Sequence, residues 1–130
     1  MKILQIDHIV LTVKDIPRSV DFYERVLGLR HMIFEGQLHA LHFGSQKINL
    51  HQAGNEFQPH ARKPAPGSAD LCFIASGSLE DVIDQLRLSG VDIEHGPVPQ
   101  TGATGEMTSV YFRDPDENLI EVACYRTEGK

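Results

Sequence analysis

The sequence predicts an α+β fold built from two copies of one βαβββ unit, with the helices on one face of the strands. Three observations predict it. Each half opens with an apolar strand of period two, continues with a capped helix of period 3.6, and closes with three short extended segments. A chain of 130 residues is one domain's length and can form a core without cross-links. The expected organisation is a single domain over residues 1–130, with module one at 1–52, a linker at 53–67 and module two at 68–130.

From Ile6 to Val13, the residues Ile9, Leu11 and Val13 form one apolar face, and Ile6, His8, Val10 and Thr12 form the other. Asp15 can cap the helix that follows, and Pro17 is tolerated in its first turn. Ile16, Val20, Tyr23 and Leu27 then recur at helical spacing until Gly28 stops the helix, which places it over about residues 16–27. Extended segments follow near residues 30–35, 38–43 and 47–52, the last two separated by Gly44 and Ser45. The stretch AGNEFQPHARKPAPG, rich in Pro, Gly and polar residues, is the linker.

The second copy opens at residues 69–75, where Leu71 and Phe73 face one way and Asp70, Cys72 and Ile74 the other. Ser78 with Asp81 resembles a capping box, Leu79, Val82, Ile83 and Leu86 form an apolar stripe, and Gly90 ends the helix. Extended segments are expected near residues 91–95, 107–113 and 118–125. Two helices of this length cover one face of eight strands and leave the less apolar face concave.

Composition excludes several classes. The chain is 41% hydrophobic and 23% charged, which opposes disorder. No apolar run approaches the roughly 20 residues that span a bilayer, and the N-terminus lacks a signal-peptide core, so a cytoplasmic protein without a membrane partner is expected. A net charge of −6 with no basic, aromatic-interleaved stripe opposes nucleic acid. Cys72 and Cys124 lie in apolar stretches and are read as small buried hydrophobes of a reducing compartment.

Four polar residues fall on the non-helix face of the outer strands of the halves: His8 and His51 in the first, Asp70 and Glu121 in the second. Singly, each has an ordinary structural role. Jointly, they are four metal-ligand types at inward positions, with the repeat expected to set His8 opposite Asp70 and His51 opposite Glu121. Two imidazoles and two carboxylates suit Ni, Zn, Mn, Fe or Co better than calcium, and leave coordination positions open on an octahedral ion. His42, Asn49, Lys47, Thr12, Cys72 and Tyr111 are candidates for supporting or substrate contacts, with Met107 and Arg113 weaker. His31, His39, His60 and His95 are read as solvated.

The motifs DHIVLTVKD, SVDFYERVLGL and YFRDPDENLIEV resemble the vicinal oxygen chelate superfamily, which includes glyoxalase I, extradiol dioxygenases, fosfomycin-modifying enzymes and bleomycin-resistance proteins. Within it, KINLHQAG and PGSADLCFI are most similar to the glyoxalase-domain-containing-protein-5 group. The resemblance implies an eight-stranded half-barrel of paired βαβββ modules with helices on the outer face and one metal held by the outer strands. His8 and Glu121 stand where the superfamily's regular ligands stand. His51 stands where glyoxalase I carries a carboxylate or amide, and Asp70 where it carries His. Modules of this superfamily pair within one chain or across a homodimer.

The function expected first is a divalent-metal-dependent, glyoxalase-like lyase or isomerase. Its small-molecule substrate would chelate the metal through neighbouring oxygens, with Glu121 moving the proton, or Asp70 in its place. The alternatives are an Fe(II) or Mn(II) extradiol-type dioxygenase and a non-enzymatic protein that sequesters a drug or metabolite.

Overall fold

The capping chemistry of the first helix is visible at both ends. The Asp15 carboxylate accepts the Arg18 N–H at 3.2 Å, Pro17 occupies the first turn, and Gly28, at φ 69°, donates its N–H to the Glu24 carbonyl at 3.0 Å. The structure is a computed structural model and describes residues 1–126. Residues 127–130, assigned by sequence to the end of module two, lie outside the described residues. The elements are β1 (His8–Val13), α1 (Ile16–Leu27), β2 (Arg30–Phe34), β3 (Leu38–Phe43), β4 (Gln46–Gln52), β5 (Asp70–Ile74), α2 (Leu79–Leu88), β6 (His95–Thr101), β7 (Glu106–Arg113) and β8 (Leu119–Tyr125). The βαβββ order occurs twice, in one compact unit spanning Met1–Ser68 and a second starting at Ala69. No helix among the described residues is long and apolar enough to cross a membrane.

In the first unit the strands lie in the order β1-β4-β3-β2, with β1 parallel to β4 and the other pairs antiparallel. Helix α1 packs on β2, β3 and β4. It buries Ser19, Phe22, Tyr23 and Val26, a stripe at i, i+3, i+4 and i+7, while Ile16, Val20 and Leu27 flank it half-buried. Against this stripe stand Leu11, Val13, Leu41, Ile48 and Leu50, all buried. Each such side chain contributes about 1.5–3 kcal/mol, so the helix-facing side of the sheet supplies this unit's cohesion. The opposite side mixes polar residues with Val10, Met32, Phe34, Leu38 and Ala40.

The second unit repeats this plan in the order β5-β8-β7-β6, with β5 parallel to β8. Ser78 Oγ accepts the Asp81 N–H at 3.2 Å at the start of α2, and Leu86 packs into a core with Val110, Phe112, Ile120 and Val122. One strand differs from expectation: β6 runs over His95–Thr101 instead of 91–95. Pro97 and Pro99 argue against a strand there, but β6 is an edge strand, where a missing N–H can face away from the ladder.

The turn joining β7 and β8 fixes how β5 lies along β8. Asp114 Oδ1 accepts the N–H groups of Asp116 and Asn118, each at 2.9 Å, and Asp114 Oδ2 accepts from Asn118 Nδ2 at 2.8 Å. Asn118 Oδ1 in turn accepts the Ala69 N–H at 2.8 Å. The DPDEN turn, with Asp114, Asp116 and Asn118 buried, thus clamps the residue before Asp70 to the start of β8.

Candidate functional site

The open face of the first unit is ordered by its ladder into three rows. Arg30 lies opposite His42, His42 opposite Lys47, and Lys47 opposite His8, so one row of four nitrogen-bearing side chains crosses the sheet. The next row is Met32, Ala40, Asn49 and Val10; beyond it Thr12 lies opposite His51 and Phe34 opposite Leu38. His8 Nδ1 is 2.8 Å from Asp7 Oδ1. His51 is buried with its ring edge-on to Phe57, centroids 5.7 Å apart, and burial lowers its pKa, with His60 adding in the same direction.

Two buried polar atoms on this face, Asn49 Oδ1 and His51 Nδ1, have no protein hydrogen-bond partner. Buried polar atoms are nearly always paired, and an unpaired one costs about 1–3 kcal/mol. Both can bind a cation or a substrate donor. Among the described residues, these two atoms are the buried acceptors on this face that the protein leaves unused.

In the second unit, Cys72, Glu121, Tyr111 and His95 form one row, and Asp70, Leu119 and Arg113 the next. Glu121 is half-buried, and its Oε2 accepts the hydroxyl of fully buried Ser109 at 2.6 Å. Tyr111 receives Gln100 Nε2 at 2.8 Å; burial raises the phenol's pKa, and the Glu121 carboxylate raises it further. Partial burial, with the Glu121 and Asp70 carboxylates beside it, pushes the Cys72 thiol up to about 11. It is a neutral thiol at pH 7. Arg113 is committed to Glu94 through bonds of 3.0 and 2.9 Å.

The four expected donors divide between the units, His8 and His51 in one and Asp70 and Glu121 in the other. Among the described residues, no group of three or more His, Cys, Asp or Glu side chains converges to hold a metal ion. The ladders also revise the expected equivalences. His8 and Asp70 occupy matching positions, opposite Lys47 and Leu119, but the match of Glu121 is Asn49, and that of His51 is Ala123. The reason is loop length: two residues join β3 to β4, whereas residues 114–118 join β7 to β8. Four residues of ladder separate His8 from His51, about 13 Å at roughly 3.3 Å per residue, while Asn49 is a diagonal neighbour of His8's row.

Two further expectations change. Cys72 is exposed on the open face by strand parity, and only Cys124 is buried. His31 and His39 are not simply solvated: His31 Nε2 and His39 Nδ1 meet at 2.8 Å with their rings nearly coplanar, an edge-to-edge imidazole hydrogen bond. Ser109 was missed altogether. Its signal was available, because it shares strand parity with Tyr111 and lies two residues before it.

The sequence profile of the Glyoxalase/Bleomycin resistance protein/Dioxygenase superfamily matches residues 5–122. Virulence protein STM3117 of Salmonella typhimurium is 54% identical, over 96% of this chain and 87% of that protein. Its crystal structure superposes with a TM-score of 0.95, covering 97% of this chain and 100% of that one. The crystal structure of lactoylglutathione lyase from Agrobacterium tumefaciens has a TM-score of 0.71 at 26% identity and 96% coverage of both chains. Biphenyl-2,3-diol 1,2-dioxygenase 2 of Rhodococcus globerulus is 32% identical over 88% of this chain, which spans 60% of that enzyme. The chain belongs to the Glyoxalase/Bleomycin resistance protein/Dioxygenase superfamily.

Proposed function

We propose that the protein is a divalent-metal-dependent lyase or isomerase of the glyoxalase type, with His8, His51, Asp70 and Glu121 as its metal donors and Glu121 as the group that moves a proton. The metal is a borderline transition ion, Ni, Zn, Mn, Fe or Co, matched to mixed nitrogen and carboxylate donors. The observation that carries the proposal is the setting of Glu121: one carboxylate oxygen is fixed by Ser109 at 2.6 Å, on an open face that it shares with Asp70, Cys72 and Tyr111. Asn49 competes with His51 for the fourth donor position, since it matches Glu121 in register, lies nearer His8 along the ladder, and like His51 carries a buried atom without a protein partner.

A divalent ion held by His8, His51, Asp70 and Glu121 would supply positive charge that acidifies a C–H next to substrate oxygens. The side chains do the rest. The Ser109 hydroxyl restrains the Glu121 carboxylate at one oxygen, beside Cys72 and Tyr111, and the carboxylate is the group that accepts and returns the proton. Tyr111, oriented by Gln100, places a neutral phenol beside that carboxylate.

The likeness to a lactoylglutathione lyase supports the hemithioacetal of methylglyoxal and glutathione as first test substrate. Glu121→Gln keeps the shape and an oxygen donor while removing the base. Turnover is expected to fall by about 10²–10⁴-fold with part of the metal retained. Full turnover by this variant would reject the proton-transfer role. The likeness to a biphenyl-diol dioxygenase favours a second reading, catechol cleavage with Fe(II) or Mn(II), and a catechol screen of the same metal-loaded protein separates the two.

A further inference from the structure

We infer that the seam between α1 and the β2–β3 hairpin carries a second, weaker metal site, in which the imidazoles of His31 and His39 and the carboxylate of Glu24 take a divalent transition ion such as Cu(II) or Zn(II). This site lies on the helix-facing side of the first sheet and does not depend on the metal centre proposed above. His31 lies opposite Leu41 and His39 opposite Ile33, so the two imidazoles are diagonal neighbours on that side. Around them it carries Ile33, Leu41, Ile48 and Leu50. By the ladders that match Asn49 with Glu121, Leu50 matches Val122 and His39 matches Val110, which is fully buried. The second unit fills this position with an apolar side chain, so the fold does not require an imidazole in the first.

The two side chains meet directly. His31 Nε2 is 2.8 Å from His39 Nδ1, with the rings within 2° of coplanar. Two nitrogens bound to one ion at about 2.0–2.1 Å, roughly 90–109° apart, are separated by roughly 2.9–3.4 Å, so the pair has only to tilt and open by a few tenths of an ångström. The ring that donates in the pair can carry its proton on its other nitrogen, which leaves both facing nitrogens as acceptors. Burial, and next the neighbouring His31, lower the His39 pKa, so a proton competes less with a metal there.

Glu24 supplies the third donor and a negative charge. Its Oε2 accepts the His31 backbone N–H at 3.3 Å, which sets the carboxylate beside the pair, and its exposed side chain can rotate onto it. A cavity of about 380 Å³ opens at this point, lined by Ile16, Val20, Asp21, Glu24 and the two imidazoles. At roughly 30 Å³ per water, it accommodates an ion with the waters that complete its shell. Two imidazoles and one carboxylate are a borderline donor set, for which Cu(II) has the highest affinity among divalent first-row ions. With three protein donors, one of them on an exposed side chain, the site empties on dialysis against metal-free buffer.

The test is titration of the chelator-stripped His8→Ala chain with Cu(II), read by electron paramagnetic resonance, because that background weakens the centre proposed on the open faces. One Cu(II) per chain should bind with the hyperfine pattern of two imidazole nitrogens. His31→Gln and His39→Val should each weaken it at least about tenfold and leave one nitrogen in the pattern, and Glu24→Gln should weaken it about threefold or more. His39→Val copies Val110 of the second unit and decides the matter should His31→Gln fail to fold. No Cu(II) binding, a one-nitrogen pattern before these substitutions, or a two-nitrogen pattern that persists in folded His39→Val overturns the assignment. The same substitution in the otherwise unaltered chain keeps the two sites apart. His39→Val should leave any dialysis-resistant ion in place, and loss of that ion would contradict a separate site.

Discussion

Ser109 touches Glu121 from inside the sheet, fully buried and 2.6 Å from one carboxylate oxygen. Groups that orient a metal donor are commonly worth 10–100-fold in metal affinity. Ser109→Ala should therefore weaken metal binding by about tenfold, read by titration with Co(II), while Ser109→Thr restores most of it; equal affinity in parent and Ser109→Ala would show that the hydroxyl merely fills space. A second residue-level effect concerns pH. Burial, and next the neighbouring His31, hold His39 below the usual imidazole value. Such a group binds fewer protons folded than unfolded, so the stability it contributes is present above the ordinary pKa of about 6.5 and is lost as pH falls through the folded value. The melting temperature should drop between pH 7 and pH 5, and His39→Gln should flatten part of that slope. An unchanged slope in His39→Gln would assign the loss to other groups, His51 foremost, whose pKa burial also lowers.

The turn between β7 and β8 illustrates how an element can be correct and still carry a local cost. Glu117 sits at φ 72°, a left-handed conformation that costs a side-chain-bearing residue about 1–2 kcal/mol, whereas glycine adopts it freely. Glu117→Gly should raise stability by up to about 1 kcal/mol after its greater unfolded-state freedom is counted, measured by urea melts; a loss of stability would mean that Glu117 makes compensating contacts. Most elements were legible in the sequence because period and caps agree: α1 occupies Ile16–Leu27 as its Asp15 cap and Gly28 stop require. Strand β6 was not, since prolines speak against a strand unless its edge position is known. The same limit applies to the site. Strand parity sufficed to put His8, Asp70 and Glu121 on open faces, but the match of Glu121 with Asn49 depends on a five-residue turn whose hydrogen bonds, centred on Asp114 and Asn118, set the register. Strand parity put Cys72 on the face of Asp70, as observed, but its apolar neighbours in sequence suggested burial, and they do not report how exposed that face is.

The described residues form two βαβββ units, each with its own helix-covered core and its own open face, and two of the proposed donors come from each. Neither unit holds a complete ligand set. The proposed donor set accordingly predicts that metal content is sensitive to single substitutions in either unit. The most direct test is the transition-metal content of protein purified without chelator and dialysed against metal-free buffer, for the parent, His8→Ala and Glu121→Ala. About one ion per chain in the parent, with strong loss in both variants while their folded-state spectra are kept, is the predicted result. No bound metal in the parent after loading, or the same load in all three proteins, would contradict it.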